Sequence, residues 1–226
     1  MGCWIAADRA EPDGIRRAWG FGKGPGPVRH GSGYRPDTSG NQEIGCLYFL
    51  YAVSPDGKQA MLDHSDQFKA AGIRHVFDPG QGLPLFSGDE LKTLIADADW
   101  LTVNSYEWEM VSRKTGWNRG NMLSALKSGL VITHGGEGAE LVTHDGEERV
   151  PAVKPERIAD PTGCGDAFRA GFLFGLDRGW SALDSARLGS LMGSIKIAHA
   201  APQGFDIGPA TVRERYRDAW GQDFPG

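Results

Sequence analysis

Cysteine is scarce in this chain of 226 residues, and neither a long apolar run nor a dense basic run is present. Cys3, Cys46 and Cys164 are too few and too scattered for a disulfide framework or a structural zinc site. No apolar stretch approaches the ~20 residues needed to span a bilayer. The formal net charge is -5, which argues against nucleic acid or an anionic membrane as the main partner.

The first 45 residues form a segment unlike the rest of the chain. Asp8, Arg9 and Arg16 interrupt its start, so it does not resemble an export signal and we expect a cytoplasmic location. The segment is rich in glycine and shows no sustained period of 2 or 3.6 residues. Residues 20–27 resemble a phosphate loop only loosely, because the Gly-Lys-Ser/Thr ending is missing. We therefore predict an irregular segment over residues 1–45 and a folded domain over residues 46–226.

From residue 47 onward, short apolar runs alternate with longer helical stretches. This alternation predicts an α/β protein with three α/β/α layers, in which helices cover both faces of a mostly parallel sheet. The predicted strands are residues 47–53, 75–78, 100–103, 130–133 and 139–143, the last leading into a hairpin at Asp145 and Gly146. The predicted helices are residues 89–97, 107–114, 122–127 and 166–176, with another ending near residue 71. Ligands bind such sheets at the carboxyl ends of the strands, where Asp78, Asn104 and Thr133 each end an apolar run.

The string Asp160-Pro-Thr-Gly-Cys-Gly-Asp166 precedes a helical pattern and is the strongest motif in the chain. Its Gly-Cys-Gly portion predicts a tight turn that directs backbone N–H groups at an anion, which the helix dipole also favours. Glycine permits close approach because it has no Cβ. The carboxylate of Asp166 either caps the helix or accepts a proton from a hydroxyl that attacks a bound phosphate. The residues alone leave both roles open.

Residues 160–171 resemble the second signature of the pfkB (ribokinase-like) family of carbohydrate and nucleoside kinases. Asn104-Ser-Tyr-Glu107 resembles the Asn-x-x-Glu motif of that family. Residues 133–139 resemble the strand and loop that pass along the nucleotide, and residues 190–199 resemble the small-residue helix beside the adenine. The resemblance covers residues 47–205. Within the family, residues 78–86 together with residues 160–166 look most like proteobacterial adenosine-kinase-like members.

This resemblance implies an ATP-dependent phosphotransferase that uses ATP and Mg²⁺ and acts on a hydroxyl of an adenosine-like nucleoside or a sugar. It implies that Asp166 is the general base and that Gly163, Cys164 and Gly165 form the anion hole. Glu107 is implied to place Mg²⁺ through water. The implied nucleotide-binding residues are Asn104, Thr133, Gly135, Gly138, Thr162 and His199.

Several of these residues also have a purely structural interpretation. Asn104 and Glu107 could cap a helix, Thr133 could simply end a strand, and His199 could be a helix residue with its hydrogen bonds satisfied. Cys164 is expected to contribute its N–H and its small size rather than a nucleophilic thiol.

Residues 1–45 match none of the family's N-terminal substrate site and lid, so we expect that portion to be truncated or divergent. The alternative function is then a nucleotide-binding remnant of such a kinase without turnover. The expected partners are a small nucleoside or sugar and a second copy of the chain, because a truncated sheet exposes an edge and apolar surface. A dinucleotide-dependent oxidoreductase is a weaker interpretation, because no Gly-x-Gly-x-x-Gly follows an early strand.

Overall fold

A six-stranded sheet is the centre of the fold in the computed structural model, which describes residues 44–48, 55–200 and 207–225. The first four strands are parallel, and the last two are antiparallel to their neighbours. The strands lie side by side in chain order: β1 (Ile44–Tyr48), β2 (Arg74–Asp78), β3 (Trp100–Asn104), β4 (Gly129–Thr133), β5 (Ala139–Thr143) and β6 (Gly146–Val150). The predicted mostly parallel sheet and its terminal hairpin are confirmed.

Seven α-helices accompany the sheet in the described residues. They are α1 (Pro55–Ala71), α2 (Gly88–Asp97), α3 (Ser105–Thr115), α4 (Arg119–Ala125), α5 (Cys164–Asp177), α6 (Ala182–Ile197) and α7 (Pro209–Trp220). Two short 3₁₀ helices follow β2 and β4, at Gly80–Leu85 and Gly135–Glu137. Helices α2, α3 and α4 each begin with a reciprocal cap, in which the side chains of the N-cap residue and of the third helix residue each accept a hydrogen bond from the other's backbone N–H. These caps satisfy N–H groups that have no partner inside the helix. None of the described helices is long and apolar enough to cross a membrane.

Alternate residues of the strands pack on opposite faces of the sheet. On one face, Phe77 and Leu101 are buried in a cluster with side chains of α1 to α4. On the other face, Val76 and Val131 pack in a cluster with Phe172 and other side chains of α5 and α6. Because strand side chains alternate between faces, helices bury both faces of these strands, which explains why their apolar runs are continuous. The three-layer prediction is confirmed.

The start of the sheet differs from the prediction. The first strand was expected at residues 47–53, whereas the described strand already begins at Ile44 and pairs in parallel with β2 from the pair Ile44 and Arg74 to the pair Tyr48 and Asp78. Residues 49–53 of the predicted strand lie outside the described residues. The predicted domain boundary after residue 45 therefore falls inside β1. The predicted irregular segment lies outside the described residues up to residue 43.

The helix α6 begins earlier than predicted, and α7 was not predicted. Ser181 accepts a hydrogen bond from the N–H of Asp184 and starts α6 eight residues before the small-residue run at Ser190. Helix α7 is rich in charged residues, and Val212 and Tyr216 are its only side chains in the buried core. Such a narrow apolar stripe gives only a weak periodic signal.

Helices α5 and α6 approach each other closely through glycine. A Cβ on Gly171 would lie 2.8 Å from the backbone nitrogen of Gly189, and a Cβ on Gly189 would lie 2.7 Å from the carbonyl oxygen of Phe168. A Cβ on Gly175 would collide with Ser185. The absence of side chains at these positions therefore fixes α5, which begins at the predicted anion-binding turn, against α6.

We expect Gly189→Ala to lower the free energy of unfolding by roughly 1–3 kcal/mol, because the added methyl group must push two helix backbones apart. Gly120→Ala is the matched control, since Gly120 is exposed on α4 and its Cβ would lie 3.4 Å from the nearest atom, Oδ1 of Asn118. The control should be neutral or stabilising by up to ~1 kcal/mol. Urea unfolding of both variants measures the difference, and equal effects would contradict the close-packing interpretation.

Candidate functional site

The predicted Gly-Cys-Gly turn forms the N-terminal end of α5. Gly163 adopts a left-handed conformation with φ 83° and ψ 4°, which favours glycine. The first hydrogen bond of the helix runs from the N–H of Ala167 to the carbonyl oxygen of Gly163, at 2.9 Å. The N–H groups of Gly165 and Asp166 precede this bond and extend from the helix end, where an anion is favoured.

Cys164 differs from the other residues of the turn. Its N–H donates to the carbonyl oxygen of Pro161 at 3.2 Å, so this group is already used within the protein. Burial raises the pKa of the Cys164 thiol above its ordinary value, partly opposed by the charge of Lys196. The sulfur is therefore protonated at neutral pH, which agrees with the expectation that it is not a nucleophile.

Asp166 is one end of a chain of charged groups that reaches into the sheet. Its Oδ1 lies 2.5 Å from Nη2 of Arg169, one turn further along α5. The other terminal nitrogen of Arg169, Nη1, lies 2.6 Å from Oδ2 of Asp78 at the end of β2. Asp78 is fully buried and also accepts hydrogen bonds from the N–H of Gly80 and the hydroxyl of Thr102, each at 2.9 Å. The predicted base and the strand end are thus joined by one guanidinium.

The charges of this group influence each other. Burial raises the pKa of the Asp78 carboxyl above its ordinary value, and Arg169 opposes the shift. Burial also raises the pKa of Glu107, and the negative charge of Asp78 adds to that increase. Two carboxylates near the carboxyl end of the sheet therefore repel each other, with Arg169 as the neighbouring positive charge.

Asn104 and Glu107 form a reciprocal cap at the start of α3. Oδ1 of Asn104 accepts from the N–H of Glu107 at 2.9 Å, and Oε2 of Glu107 accepts from the N–H of Asn104 at 2.8 Å. The structural interpretation of this pair is therefore confirmed. Their predicted roles toward nucleotide and magnesium stay predictions, and capping does not exclude them, since only one oxygen of the Glu107 carboxylate is used in the cap.

The loop after β4 lies beside the start of α3. Thr133 ends β4 and is the register partner of Asn104 in β3, which brings these two predicted residues together. Ser105 contacts His134 at 2.8 Å between Oγ and Nδ1, which joins the two loops. Gly135 and Gly138 have φ angles of 58° and 97°, and a Cβ on Gly138 would collide with the backbone at Val150. Both glycines therefore have a conformational reason to be glycine, independent of any ligand.

The two remaining predicted nucleotide-binding residues have partners within the protein. The N–H of Thr162 donates to Oδ1 of Asp160 at 2.8 Å, which shapes the chain just before the turn. Nδ1 of His199 lies 2.9 Å from the carbonyl oxygen of Ile195 at the end of α6. His199 thus has the intramolecular hydrogen bond that its structural interpretation required, and its role toward nucleotide stays a prediction.

Lys196 is a residue of the site that sequence reasoning missed. Its side chain is 1% exposed, and Nζ donates to the carbonyl oxygens of Asp160 at 2.8 Å and of His199 at 3.3 Å. The N–H of Ala159 donates back to the carbonyl oxygen of Ile197 at 2.8 Å. The end of α6 therefore holds the segment that leads into the turn. The available signal was a single charged residue in an otherwise small and apolar run, since lysine is almost never buried without a partner.

The described residues contain no group of three or more His, Cys, Asp and Glu side chains arranged to hold a metal ion. The candidate site is instead a helix N-terminus with a carboxylate beside it, at the carboxyl edge of a mostly parallel sheet. This arrangement can bind a phosphate group through backbone N–H groups and accept a proton next to it.

Comparisons with known proteins agree with this geometry. Residues 42–206 match the family described as pfkB family carbohydrate kinase. The solved structure of Burkholderia thailandensis nucleoside kinase in complex with inosine is 42% identical and superposes with a TM-score of 0.75, covering 80% of this chain and 57% of that one.

Two curated relatives match shorter regions. A nucleoside kinase of Methanocaldococcus jannaschii is 32% identical over 130 residues, which are 57% of this chain and 43% of the relative. A ribokinase of Lactococcus lactis is 32% identical over 113 residues, which are 49% of this chain and 36% of the relative. The chain thus spans less than half the length of these two relatives.

We expect Lys196→Met to lower the free energy of unfolding by roughly 1–3 kcal/mol, because two partly buried carbonyl oxygens lose a charged donor and the Asp160 carboxylate loses its contact with Nζ at 3.8 Å. Amide hydrogen exchange should rise in residues 159–165, which the lysine holds in place. Lys92→Met is the control, because the contacts of Lys92 with the exposed Asp89 and with the Trp117 ring, 5.9 Å from its centre, are weak surface contacts far along the chain from residues 159–165. It should change neither measurement appreciably. Unchanged exchange in residues 159–165 would contradict the assigned role of Lys196.

Proposed function

Since the chain belongs to the pfkB family of carbohydrate kinases, we propose that it is the nucleotide-binding and catalytic part of an ATP-dependent kinase that phosphorylates a nucleoside hydroxyl. The observation that carries this proposal is the position of Asp166 beside the left-handed glycine turn at the start of α5. A nucleoside is favoured over a free sugar because the Burkholderia thailandensis nucleoside kinase, whose structure is in complex with inosine, is 42% identical to this chain over the aligned residues, which are 57% of that protein. An adenosine-like purine nucleoside is the proposed substrate class.

The proposed reaction is a single phosphoryl transfer. The substrate oxygen attacks the γ-phosphorus of ATP, the bond from that phosphorus to the β,γ-bridging oxygen breaks, and ADP leaves. The hydroxyl proton passes to the carboxylate of Asp166. A carboxylate is a weak base, but it suffices because the transition state is loose and the proton moves late.

The turn stabilises the transferred group by its backbone. The N–H groups of Gly165 and Asp166, together with the conformation of Gly163, form the proposed anion hole at the positive end of the α5 dipole. The contribution of Cys164 is its small size and its bond to Pro161, which keeps the turn tight. These donors are fixed before substrate binds, so they need no rearrangement during the reaction.

The proposed nucleotide site runs along the ends of β3 and β4 to the same turn. Asn104 and Thr133 are adjacent in the sheet, and the positive φ angles of Gly135 and Gly138 bring the following loop backbone to the edge. The proposed contacts with nucleotide are made by Asn104, Thr133, Gly135, Gly138, Thr162 and His199.

Magnesium fits the acidic group beside this edge. Glu107 offers a carboxylate oxygen, the type of ligand that Mg²⁺ prefers, and the repulsion between Glu107 and Asp78 is what a cation would relieve. We assign Glu107 to Mg²⁺ through water, because this ion keeps several of its waters. When bound, the ion supplies positive charge to the phosphate oxygens.

The proposal also includes a cytoplasmic location and a homodimer. Glu147, Glu148 and Arg149 are exposed along the edge strand β6, and charged side chains on an edge oppose pairing there. The other edge of the sheet in the described residues, at β1, is then the proposed surface for a second copy of the chain.

Asp166→Asn tests the general base, because it keeps size and hydrogen-bonding capacity and removes the charge. Turnover of adenosine, inosine or ribose, measured by coupled ADP release, should fall by about 10²–10⁴ with ATP affinity nearly unchanged. Asp184→Asn is the control, because Asp184 is likewise the third residue of its helix and should leave turnover unchanged. Binding of ATP by the wild type without turnover of any of these substrates would establish the nucleotide-binding remnant instead.

Glu107→Gln tests the magnesium assignment, because glutamine preserves the cap of α3 and removes the negative charge. The Mg²⁺ concentration that gives half-maximal activity should rise several-fold, about 10-fold for each 1.4 kcal/mol of lost interaction. Glu90→Gln is the matched control, since Glu90 occupies the same position of the cap of α2. The assignment fails if both variants keep the magnesium dependence of the wild type.

A further inference from the structure

Arg169 contacts two carboxylates with its two terminal nitrogens, and nothing in the proposed reaction yet uses it. Nη2 lies 2.5 Å from Oδ1 of Asp166, and Nη1 lies 2.6 Å from Oδ2 of Asp78. The guanidinium is planar and rigid, so fixing one nitrogen on Asp78 also fixes the direction of the other. The orientation of the Asp166 carboxylate therefore depends on a residue of a different layer of the fold.

We propose that Arg169, anchored by Asp78, is the positioning residue of the catalytic carboxylate. The proposal rests on the proposed function, in which Asp166 accepts the proton. Because Arg169 contacts Oδ1, the proton is accepted by Oδ2, and the guanidinium holds the carboxylate so that this oxygen meets the substrate hydroxyl. Geometry of this kind contributes to rate because a displacement of ~1 Å from the reacting position costs about 10²-fold.

Asp78 is a rigid anchor for Arg169 because both oxygens of its carboxylate accept hydrogen bonds. Oδ1 of Asp78 accepts from the N–H of Gly80, and Oδ2 accepts from Thr102 in addition to Arg169. Asp78 is fully buried at the end of β2, and Thr102 belongs to the neighbouring strand β3. A displacement of Arg169 would therefore leave a negative charge in the core without its cation, which is strongly unfavourable.

An ion pair on α6 has the same spacing as the pair of Asp166 and Arg169 but no buried carboxylate that fixes its arginine. Asp184 and Arg187 have the same spacing on α6 and lie 3.0 Å apart, with side chains that are about one quarter exposed. The second partner of Arg187 is the neutral amide of Gln222. Arg187 therefore has no buried carboxylate to fix it, and pairs of this kind contribute little.

The experiment separates positioning from stability with two variants. Arg169→Met alone leaves Asp78 as a buried charge without a cation, so we expect a lower thermal midpoint together with a lower kcat. Adding Asp78→Asn removes that charge and keeps an acceptor oxygen for the N–H of Gly80, while the new NH2 group can donate to the hydroxyl of Thr102. The double variant should recover most of the thermal midpoint, while kcat stays roughly 10²-fold below wild type and KM for ATP changes little. Arg187→Met is the matched control and should keep the kcat of the wild type.

Two outcomes overturn the proposal. If kcat of the double variant recovers together with the thermal midpoint, Arg169 serves stability alone. Crystal structures of wild type and double variant supply a readout that needs no turnover, because the Asp166 carboxylate should have one orientation in the first and several in the second. A single unchanged orientation of the Asp166 carboxylate in the double variant refutes the positioning role, whether or not the wild type is active. An inactive wild type refutes only the proposed kinase function.

Discussion

The carboxyl group of Asp78 is fully buried, and Arg169 reaches it from α5 with Nη1 2.6 Å from Oδ2. A buried carboxylate without a cation is among the most unfavourable features that a core can contain. The sheet and the helix that begins at the proposed anion hole must therefore meet at one fixed distance. The location of the site at this edge follows from that requirement.

Two further contacts restrict the same turn from other directions. The glycine contact between Gly171 and Gly189 sets the distance of α5 from α6, and Lys196 at the end of α6 holds the segment that leads into the turn. The turn is thus fixed from the sheet, from the neighbouring helix and from the preceding loop. A site that stabilises charge by fixed dipoles needs this rigidity, because donors that had to reorganise would lose their advantage.

The sequence predicted what depends on local patterns. The apolar runs that became β3 and β4 were placed to within one residue, because buried strands of a parallel sheet are continuous in apolar residues. The partners of Arg169 and Lys196 could not be predicted, because Asp78 and the carbonyl oxygen of Asp160 are distant along the chain and only the fold brings them close. The bounds of β1 depend likewise on its pairing with β2, and no local signal gives that register.

The order of the strands also bears on how the site arises during folding. Each strand of the described sheet pairs with its neighbour in the chain, so each pairing closes only the single crossover or hairpin between the two strands. The contact between Asp78 and Arg169 is different, because it joins β2 to a helix that follows the whole sheet in the chain. The reactive centre therefore depends on a contact that closes a much longer stretch of chain than any pairing of neighbouring strands, and closing it costs more entropy.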